Sequence, residues 1–371
     1  MPTSTDVQER LVGTLRNTWG STSGAHQVAR AAKNLLEESR EMCANRLNVS
    51  PDNIVFTSGS TEALNIVIQG YGRAHPQAQI FYSTIEHSSV AKPVQYFGEH
   101  GYRTVALSVD SNGIINRDEL EQVQPGDLVC IMPVNNEIGV VNDAHALSDI
   151  VHERGGLVLL DGVQAFYTSH PQEICELSDY AVFSAHKLGG PPGVGMLFIR
   201  DRSSIEPLSF GGPQEWELRP GSTPIFLVDG LAYIFEQALD QREDTIAHME
   251  LCQKTCIDAI DNKMSGVDIH AREVARSPHI VAIDIEGIEA QMLVTMLDAR
   301  GVCVSRGSAC ASGASTPSPI LLALGMEESR AASTIRLSFH HGTTLEEINE
   351  AVDIIAECVD QLRAQQKVGA S

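Results

Sequence analysis

The stretch SAHKLGGPPG, from Ser184 to Gly193, places a lysine directly after a histidine. It follows the apolar run YAVF, which has the length of a strand, and precedes a glycine-proline turn. A lysine in this position either extends into water or points at a ligand. In the second case its amine is a nucleophile suited to carbonyl groups. Lys187 is therefore the first candidate for a reactive residue.

A possible phosphate site lies in IVFTSGSTEALN, where an apolar run passes through Gly59 into a helix pattern that begins with Ser60 and Thr61. Free backbone N–H groups, two hydroxyls and the positive end of the helix dipole together favour an anion. Serine and threonine at a helix start are also ordinary capping residues. Taken alone, the pattern favours the cap over phosphate.

Three further apolar runs end in polar side chains. LVLLDGVQ ends in Asp161 with Gln164 after it, YSTIEHSSV leads to His87, and VNNEIGV carries Asn135 and Asn136. Each has an ordinary structural interpretation: a loop carboxylate, a structural histidine and turn amides. Together with Lys187 they are more informative, because each follows a run that has the length of a strand.

The elements that must position these residues alternate between strands and helices. Strand-length runs are NIVFTSG, AQIFYSTIEH, RTVALSV, DLVCIMPV, GLVLLDG, YAVFSAH and GVGMLFIR, with helix patterns such as TEALNIVIQGYG and HALSDIVHERG between them. Continuous apolar strands separated by helices predict an α/β fold with a mostly parallel sheet covered by helices on both faces. Ligands of such sheets bind at the carboxyl ends of the strands.

A change of pattern divides the chain in two. After a long predicted helix, FLVDGLAYIFEQALDQREDTIAHMELCQKTCIDAI, the strand HIVAIDIEG, the helix EAQMLVTMLDARG, the short strands VCVSRG and STIRLSF and a helix from about Thr344 follow. We therefore predict a large ligand-binding domain over residues 8–244 and a smaller C-terminal α/β domain over residues 245–371. Residues 1–7 are expected to pack on the smaller domain.

Composition excludes several classes of protein. The net charge of −22 argues against a basic nucleic-acid groove, and apolar runs stay below the roughly 20 residues that span a bilayer. We therefore expect a cytoplasmic protein with neither nucleic-acid nor membrane binding. The eight cysteines lack a CxxC pair, so neither a disulfide framework nor a metal site is predicted. Most cysteines are expected to be buried.

The combination of side chains indicates a cofactor. A phosphate cradle, a carboxylate, a flat histidine and a lysine at the carboxyl edge of one sheet are what pyridoxal 5'-phosphate requires. The lysine supplies the Schiff base, and Asp161 paired with the pyridine nitrogen keeps the ring protonated so that it acts as an electron sink. His87 can stack on the ring.

The sequence resembles the cysteine desulfurases of the NifS/IscS type, within the class V aminotransferase-like, fold type I pyridoxal phosphate enzymes. The motifs FTSGSTEALN, EHSSV, VNNEIGV, LDGVQ, SAHKLGGPPGVG, GSACASG and STIRLSF occur in the family's order over nearly the whole chain. The resemblance implies that Lys187 is the Schiff-base lysine, that Asp161 is the partner of the pyridine nitrogen, and that His87 stacks on the ring. The resemblance further implies that Gln164 contacts the cofactor's phenolic oxygen. It implies four phosphate ligands: Ser60, Thr61, Ser184 and His186. Asn136 and Arg336 would contact the substrate, and Asn136 the cofactor as well.

The resemblance also implies partners. Ser222, in RPGSTP, resembles the hydroxyl that reaches the phosphate of the neighbouring subunit, which implies a homodimer. Arg336 would bind the α-carboxylate of L-cysteine, since a guanidinium matches a carboxylate bidentately. Gln214 and Trp216 depart from the family's usual histidine and arginine beside Glu215.

The expected nucleophile is Cys310, in the Gly-, Ser- and Ala-rich stretch VSRGSACASGASTPSP. Cys310 matches the family's reactive cysteine, whereas Cys303 is expected to be buried inside a strand. The thiolate would take sulfur from L-cysteine, leaving L-alanine and a persulfide that passes to an acceptor protein. His87 is a candidate acceptor of the thiol proton, and Arg306 could lower the thiol pKa or contact a partner.

Two alternatives to the desulfurase hypothesis belong to other classes. One is a selenocysteine lyase or another β-eliminating lyase on the same scaffold. The other is a degenerate protein that binds pyridoxal phosphate or a partner without turnover, for which the expected absence of the family's NAATTP-like opening segment is the best support. Iron-sulfur assembly, tRNA thiolation, DNA phosphorothioate formation and biosynthesis are all possible destinations of the sulfur.

Overall fold

The structure, a computed structural model, describes residues 1–307 and 317–369. Contacts within the chain define two compact units. The first unit consists of Met1–Leu107, Arg117–Pro133 and Asp143–Arg242, and the second of Ser108–Asn116, Val134–Asn142 and Glu243–Ser371. Among the described residues, none of the helices combines the length and hydropathy needed to cross a bilayer.

Seven strands of the described residues form one sheet in the first unit. They are β1 (Ile54–Thr57), β2 (Gln79–Ser83), β3 (Arg103–Leu107), β4 (Leu128–Ile131), β5 (Leu157–Asp161), β6 (Tyr180–Ser184) and β7 (Gly195–Ile199), in the order β1-β7-β6-β5-β4-β2-β3. Strand β7 is antiparallel to both β6 and β1, and the other pairs are parallel. All strands except β7 therefore point the same way.

The helices of the first unit include those predicted from TEALNIVIQGYG and HALSDIVHERG. They are α1 (Thr5–Asn17), α2 (Gln27–Leu47), α3 (Ser60–Ala74), α4 (Ser88–Glu99), α5 (Ala144–Glu153), α6 (Pro171–Glu176) and α7 (Ile225–Asp240). Strands β1, β4, β6 and β7 are buried along their whole length. Strands buried on both faces read as continuous apolar runs, which is why the sequence pattern identified them.

The second unit has its own core. Its elements are α8 (Arg242–Lys263, whose first residue closes the first unit), β8 (Val267–Ile269), β9 (Ile280–Ile285), α9 (Ala290–Asp298), β10 (Ser305–Arg306), α10 (Pro319–Ala323), α11 (Glu328–Ala332), β11 (Thr334–Ser338) and α12 (Leu345–Gly369). Within the described residues, four strands pair in the order β10-β11-β9-β8. Alternate residues of β9 and β11 pack against apolar side chains of α8, α9 and α12.

Several details differ from the sequence-based predictions. The long helix predicted over residues 226–260 is two helices, because α7 ends before the non-helical Gln241 and α8 begins at Arg242. Segments 108–116 and 134–142 belong to the second unit. Residues 1–7 belong to the first unit, where Ser4 N donates to Gly189 O at 3.0 Å and Val7 is fully buried. The prediction that they pack on the smaller domain is wrong.

The physical reason for the position of the N-terminus is its contact with α7. Arg10 Nη2 and Thr14 Oγ1 of α1 donate to the two carboxylate oxygens of Asp229, at 2.8 and 2.6 Å. Asp229 is 3% exposed, and a buried carboxylate requires such partners. The apolar side of α1 is thereby fixed on the first unit.

Candidate functional site

The carboxyl ends of six strands lie at one edge of the first unit's sheet. They are the ends of β1, β6, β5, β4, β2 and β3, because the antiparallel β7 leaves β1 pointing in the direction of the parallel strands. Asp161 is the last residue of β5, and Lys187 and His87 follow β6 and β2. The alternation of strands and helices therefore brings together at one edge three residues that are far apart in sequence.

Lys187 ends a short 3-10 helix, Ala185–Lys187, that begins where β6 stops. The turn is closed by Leu188 N and Gly190 N, which both donate to Ala185 O at 2.9 Å. Gly189 has φ 88°, a left-handed conformation that favours glycine. The GG pair after the lysine is thus needed to turn the chain immediately after the reactive side chain.

Ser184 and His186 flank this turn. Ser184 Oγ and His186 Nδ1 are hydrogen-bonded at 2.7 Å, and Ser184 is only 5% exposed. The bond fixes the serine rotamer at the strand end and orients the imidazole. Both side chains therefore lie beside Lys187, where the resemblance places phosphate ligands.

Asp161 is the last residue of β5 and is 6% exposed. Its Oδ1 accepts a hydrogen bond from Val163 N at 3.2 Å and starts the 3-10 helix Gly162–Tyr167, which contains Gln164. Burial raises the pKa of Asp161 to about 6, while the hydrogen bond from Val163 N and the charge of Lys187 limit the rise. At pH 7 the carboxylate is mostly ionised and is suited to a cationic partner such as a protonated ring nitrogen.

Sequence reasoning did not identify Glu86, a second buried carboxyl at this edge. Its Oε1 accepts hydrogen bonds from Ser83 Oγ at 2.9 Å and Met132 N at 2.7 Å, which join the end of β2 to that of β4. Its Oε2 is buried without a hydrogen-bond partner. Burial, and then the charge of Asp161, raise the pKa of Glu86 well above its ordinary value. The edge therefore holds two buried carboxyl groups, and burial raises the pKa of both.

His87 is the N-cap of α4, and its Nδ1 accepts a hydrogen bond from Ser89 N at 3.2 Å. Burial and the charge of Lys187 lower the pKa of His87, so the ring is neutral at pH 7. Since Nδ1 accepts from a backbone N–H, the proton of the neutral ring lies on Nε2. His87 is thus set to donate from Nε2, and accepting the thiol proton of Cys310 would require the other tautomer.

The predicted phosphate cradle lies at the start of α3. Its N-cap, Gly59, has φ 151° and ψ 176° and makes no side-chain capping bond. This backbone conformation is open to glycine almost alone. The N–H groups of the first turn are therefore left for a ligand, beside the hydroxyls of Ser60 and Thr61, and a Cβ on the neighbouring Gly195 would lie 2.8 Å from Gly59.

Asn136 and Arg336 meet in the second unit. Arg336 Nη1 donates to Asn136 O at 2.6 Å and its Nη2 to Ser305 Oγ at 3.3 Å. The turn is shaped by Asn135, whose Oδ1 accepts from Glu137 N at 2.9 Å. Asn136 Oδ1 is buried without a hydrogen-bond partner, as expected of a side chain that contacts a ligand.

The remaining predicted residues have separate positions. Ser222 is exposed and follows Gly221. Cys310 lies outside the described residues. Cys303 is exposed and precedes the two-residue strand β10, so the prediction that it is buried in a strand is wrong. The expectation of buried cysteines holds elsewhere: Cys43, Cys130, Cys175, Cys252, Cys256 and Cys358.

The family is established by comparison with known proteins. The model of the aminotransferase class-V family matches residues 2–350, and the chain belongs to that family. Within it, the chain is 31% identical to the cysteine desulfurase IscS of Dictyoglomus turgidum, over 98% of this chain and 93% of that protein. It is 33% identical to the cysteine desulfurase IscS of Vibrio cholerae serotype O1, over 98% and 91%. The predicted NifS/IscS-type membership is confirmed.

Solved structures support the same fold. A NifS-like protein is 29% identical, with a TM-score of 0.88 and 97% of both chains covered. The NifS-like protein from Rickettsia africae is 27% identical, with a TM-score of 0.87 and the same coverage. The predicted fold type I architecture, with a mostly parallel sheet and covering helices, is confirmed.

The residues of this chain fit pyridoxal phosphate on three independent observations. The start of α3 is uncapped beside two hydroxyls, Asp161 is a buried carboxylate mostly ionised at pH 7, and Lys187 acts electrostatically on both Asp161 and His87. Within the described residues, no group of three or more His, Cys, Asp and Glu side chains is arranged to hold a metal ion. The donor set thus suits an aromatic phosphate with a reactive carbonyl group.

Proposed function

We propose that this protein is a pyridoxal 5'-phosphate-dependent cysteine desulfurase in which L-cysteine and the Cys310 thiol become L-alanine and a Cys310 persulfide. The observation that carries the proposal is the shared edge of the first unit. There the charge of Lys187 acts on the buried Asp161 and on the neutral His87. The names and near-complete coverage of the IscS relatives support the same activity.

Each residue at the edge has a role in this proposal. Lys187 would bind the cofactor's aldehyde carbon and would later move the substrate's α proton. Ser60, Thr61, Ser184 and His186 would bind the phosphate, and Gln164 would donate to the phenolic oxygen. The cofactor, when bound, would withdraw electrons from the substrate through a ring that the Asp161 carboxylate keeps protonated. The neutral His87 ring would stack on the cofactor, with its ring proton on Nε2.

Arg336 and Asn136 bind the amino-acid substrate. The Arg336 guanidinium is oriented by Asn136 O and Ser305 Oγ, at 2.6 and 3.3 Å. A guanidinium held in this way can form two parallel hydrogen bonds to an α-carboxylate. The buried Asn136 Oδ1, which has no hydrogen-bond partner, supports a contact of this side chain with the amino acid.

The protein acts as a cytoplasmic homodimer in which Ser222 reaches the phosphate bound by the partner. The exposed position of Ser222 on its own chain supports this intermolecular role. The persulfide on Cys310 passes to an acceptor protein. Neither a membrane nor a nucleic acid takes part in the reaction itself.

The test is alanine production from L-cysteine by the purified protein supplied with pyridoxal phosphate and reductant. The wild type is compared with Cys310→Ala and with Cys303→Ser, a matched control at the exposed cysteine nearby. Alanine from the wild type and from Cys303→Ser, but not from Cys310→Ala, would support the proposal. Full turnover by Cys310→Ala would favour a β-eliminating lyase, and no alanine from any of them would refute the desulfurase activity of the isolated chain.

A further inference from the structure

Three consecutive residues of the first unit, Glu215 to Glu217, form a turn in the left-handed backbone conformation, which is unfavourable for residues with a Cβ. Glu215, Trp216 and Glu217 have φ of 45°, 55° and 66°. Residues with a Cβ adopt this conformation reluctantly, and then as single residues rather than in runs. Three in succession persist only where surrounding contacts hold them, which is typical of backbone that serves a function.

A buried ion pair holds the first residue of this turn. Arg40 Nη1 and Nη2 donate to the two carboxylate oxygens of Glu215, both at 2.9 Å, and Phe56 N donates to Glu215 Oε2 at 2.9 Å. Arg40 Nη1 also donates to Ile54 O at 2.8 Å. Arg40 and Glu215 are 3% and 5% exposed. The turn is thus fastened to the backbone of β1.

Trp216 makes cation–π contacts with two arginines. The guanidinium carbons of Arg40 and Arg202 each lie 4.5 Å from the centre of its ring. Contacts of this kind stabilise the position of the indole. The contacts of Trp216 with Arg40 and Arg202 therefore fix the second residue of the left-handed turn.

Two hydrogen bonds connect the turn to the segment that follows it. Gln214 Oε1 accepts from Gly221 N at 3.1 Å, which closes a loop next to Ser222. Arg219 Nε donates to Glu62 Oε1 at 3.3 Å, in the first turn of α3. The backbone on both sides of the loop is therefore fixed, while the Ser222 side chain remains exposed.

We propose that Arg40, Glu215 and Trp216 are positioning residues that present Ser222 to the phosphate bound by a second copy of this chain. The inference rests on the proposed homodimer and deepens it. The left-handed turn sets the direction of the segment that ends at Ser222, and the buried pair and the stacked indole prevent the turn from relaxing. These three residues therefore act on cofactor binding in the partner subunit.

Mixed dimers test this effect in trans. One chain is wild type, and the other carries Lys187→Ala, so that only the wild-type chain holds the cofactor covalently. Glu215→Gln is then added to the Lys187→Ala chain, and release of the covalently held cofactor is followed by its absorbance. Weakening one charge-assisted hydrogen bond to phosphate predicts release about tenfold faster than from the dimer with Lys187→Ala alone.

A second variant leaves the buried Arg40–Glu215 pair intact. Trp216→Arg, added to the Lys187→Ala chain, places a third guanidinium beside Arg40 and Arg202 and should also speed release in trans. Trp216→Phe keeps an aromatic ring beside both cations and should restore release close to the reference rate. Equal release rates for Trp216→Arg and Trp216→Phe would overturn the role of the indole.

Ser222→Ala in the Lys187→Ala chain separates this inference from the homodimer itself. If it accelerates release and Glu215→Gln adds nothing to it in the double variant, the two residues act through one contact, as proposed. If Ser222→Ala alone accelerates release and Glu215→Gln does not, the positioning role is refuted while the dimer contact stands. If Ser222→Ala changes nothing, the proposed contact between subunits is wrong, and the inference fails with it.

Discussion

In the cofactor-free protein, replacement of Asp161 by asparagine should raise the free energy of unfolding relative to that of the wild type as the pH rises. Burial raises the pKa of Asp161 from 3.8 to about 6. The folded protein therefore holds the proton more tightly than the unfolded chain. Between these two pKa values the unfolded chain binds fewer protons, so the free energy of unfolding falls as the pH rises.

The size of the effect follows from the two pKa values. Their difference corresponds to about 3 kcal/mol of lost stability above pH 6, at about 1.4 kcal/mol for each pH unit. Between pH 5 and pH 8 the loss grows by about 1.4 kcal/mol. Asparagine has no charge to desolvate. The free energy of unfolding of the Asp161→Asn protein should therefore rise, relative to that of the wild type, by about 1.4 kcal/mol between pH 5 and pH 8.

Urea unfolding of the two cofactor-free proteins at pH 5, 6, 7 and 8 measures the difference directly. With a slope of about 3 kcal/mol per molar urea, the gap between their midpoints should widen by about 0.5 M. Asp52→Asn, at an exposed carboxylate, is the matched control and should follow the wild type. If the Asp161→Asn and wild-type midpoints run parallel with pH, the carboxylate is not desolvated and the reasoning is wrong.

Three further predictions concern the site. Glu86→Gln keeps an acceptor for Ser83 Oγ and Met132 N and should preserve stability and cofactor affinity. Glu86→Ala leaves Met132 N unpaired and should lower the free energy of unfolding by about 1–3 kcal/mol in thermal melts. Equal losses of stability in the two variants would show that Glu86 acts as a carboxylate. Arg336→Lys loses the bidentate geometry and should raise KM for L-cysteine about tenfold, and an unchanged KM in steady-state kinetics would remove Arg336 from the substrate site. Cys303→Ser should leave the alanine-forming rate within about twofold of the wild type, because an exposed surface substitution is usually near neutral; a large loss would make Cys303 part of the reaction.

The sequence was most informative for site residues whose position depends only on the strand that precedes them. Buried parallel strands appear as continuous apolar runs, and the residue that ends each run must lie at the carboxyl edge of the sheet. Asp161, His87 and Lys187 were predictable on this basis. The GG pair after Lys187 and the glycine before α3 likewise reveal turns that the sequence pattern can indicate.

Features that depend on distant partners could not be predicted. Glu86 reads as an ordinary loop acid until the fold places Met132 N beside it, and Glu215 has no visible partner until Arg40 comes from α2. The break at Gln241 is hidden because residues on both sides form helices. Cys303 was assigned to a strand from its apolar neighbours, but only Ser305 and Arg306 pair there.

The second unit is built from segments that lie far apart in the sequence, which affects its folding during synthesis and the behaviour of truncated fragments. Segment 134–142 joins this unit through Val140, which bridges to Arg276, and through Glu137, whose Oε2 accepts from Ser318 Oγ at 2.6 Å. The ribosome makes this segment long before its partners, so the unit closes only when the end of the chain emerges, and contacts of such wide separation form slowly. A fragment starting at residue 243 would lack the Arg336 partner Asn136 and would expose the surface that 134–142 covers. Residues 243–371 are therefore not a complete domain that could be moved to another protein by themselves.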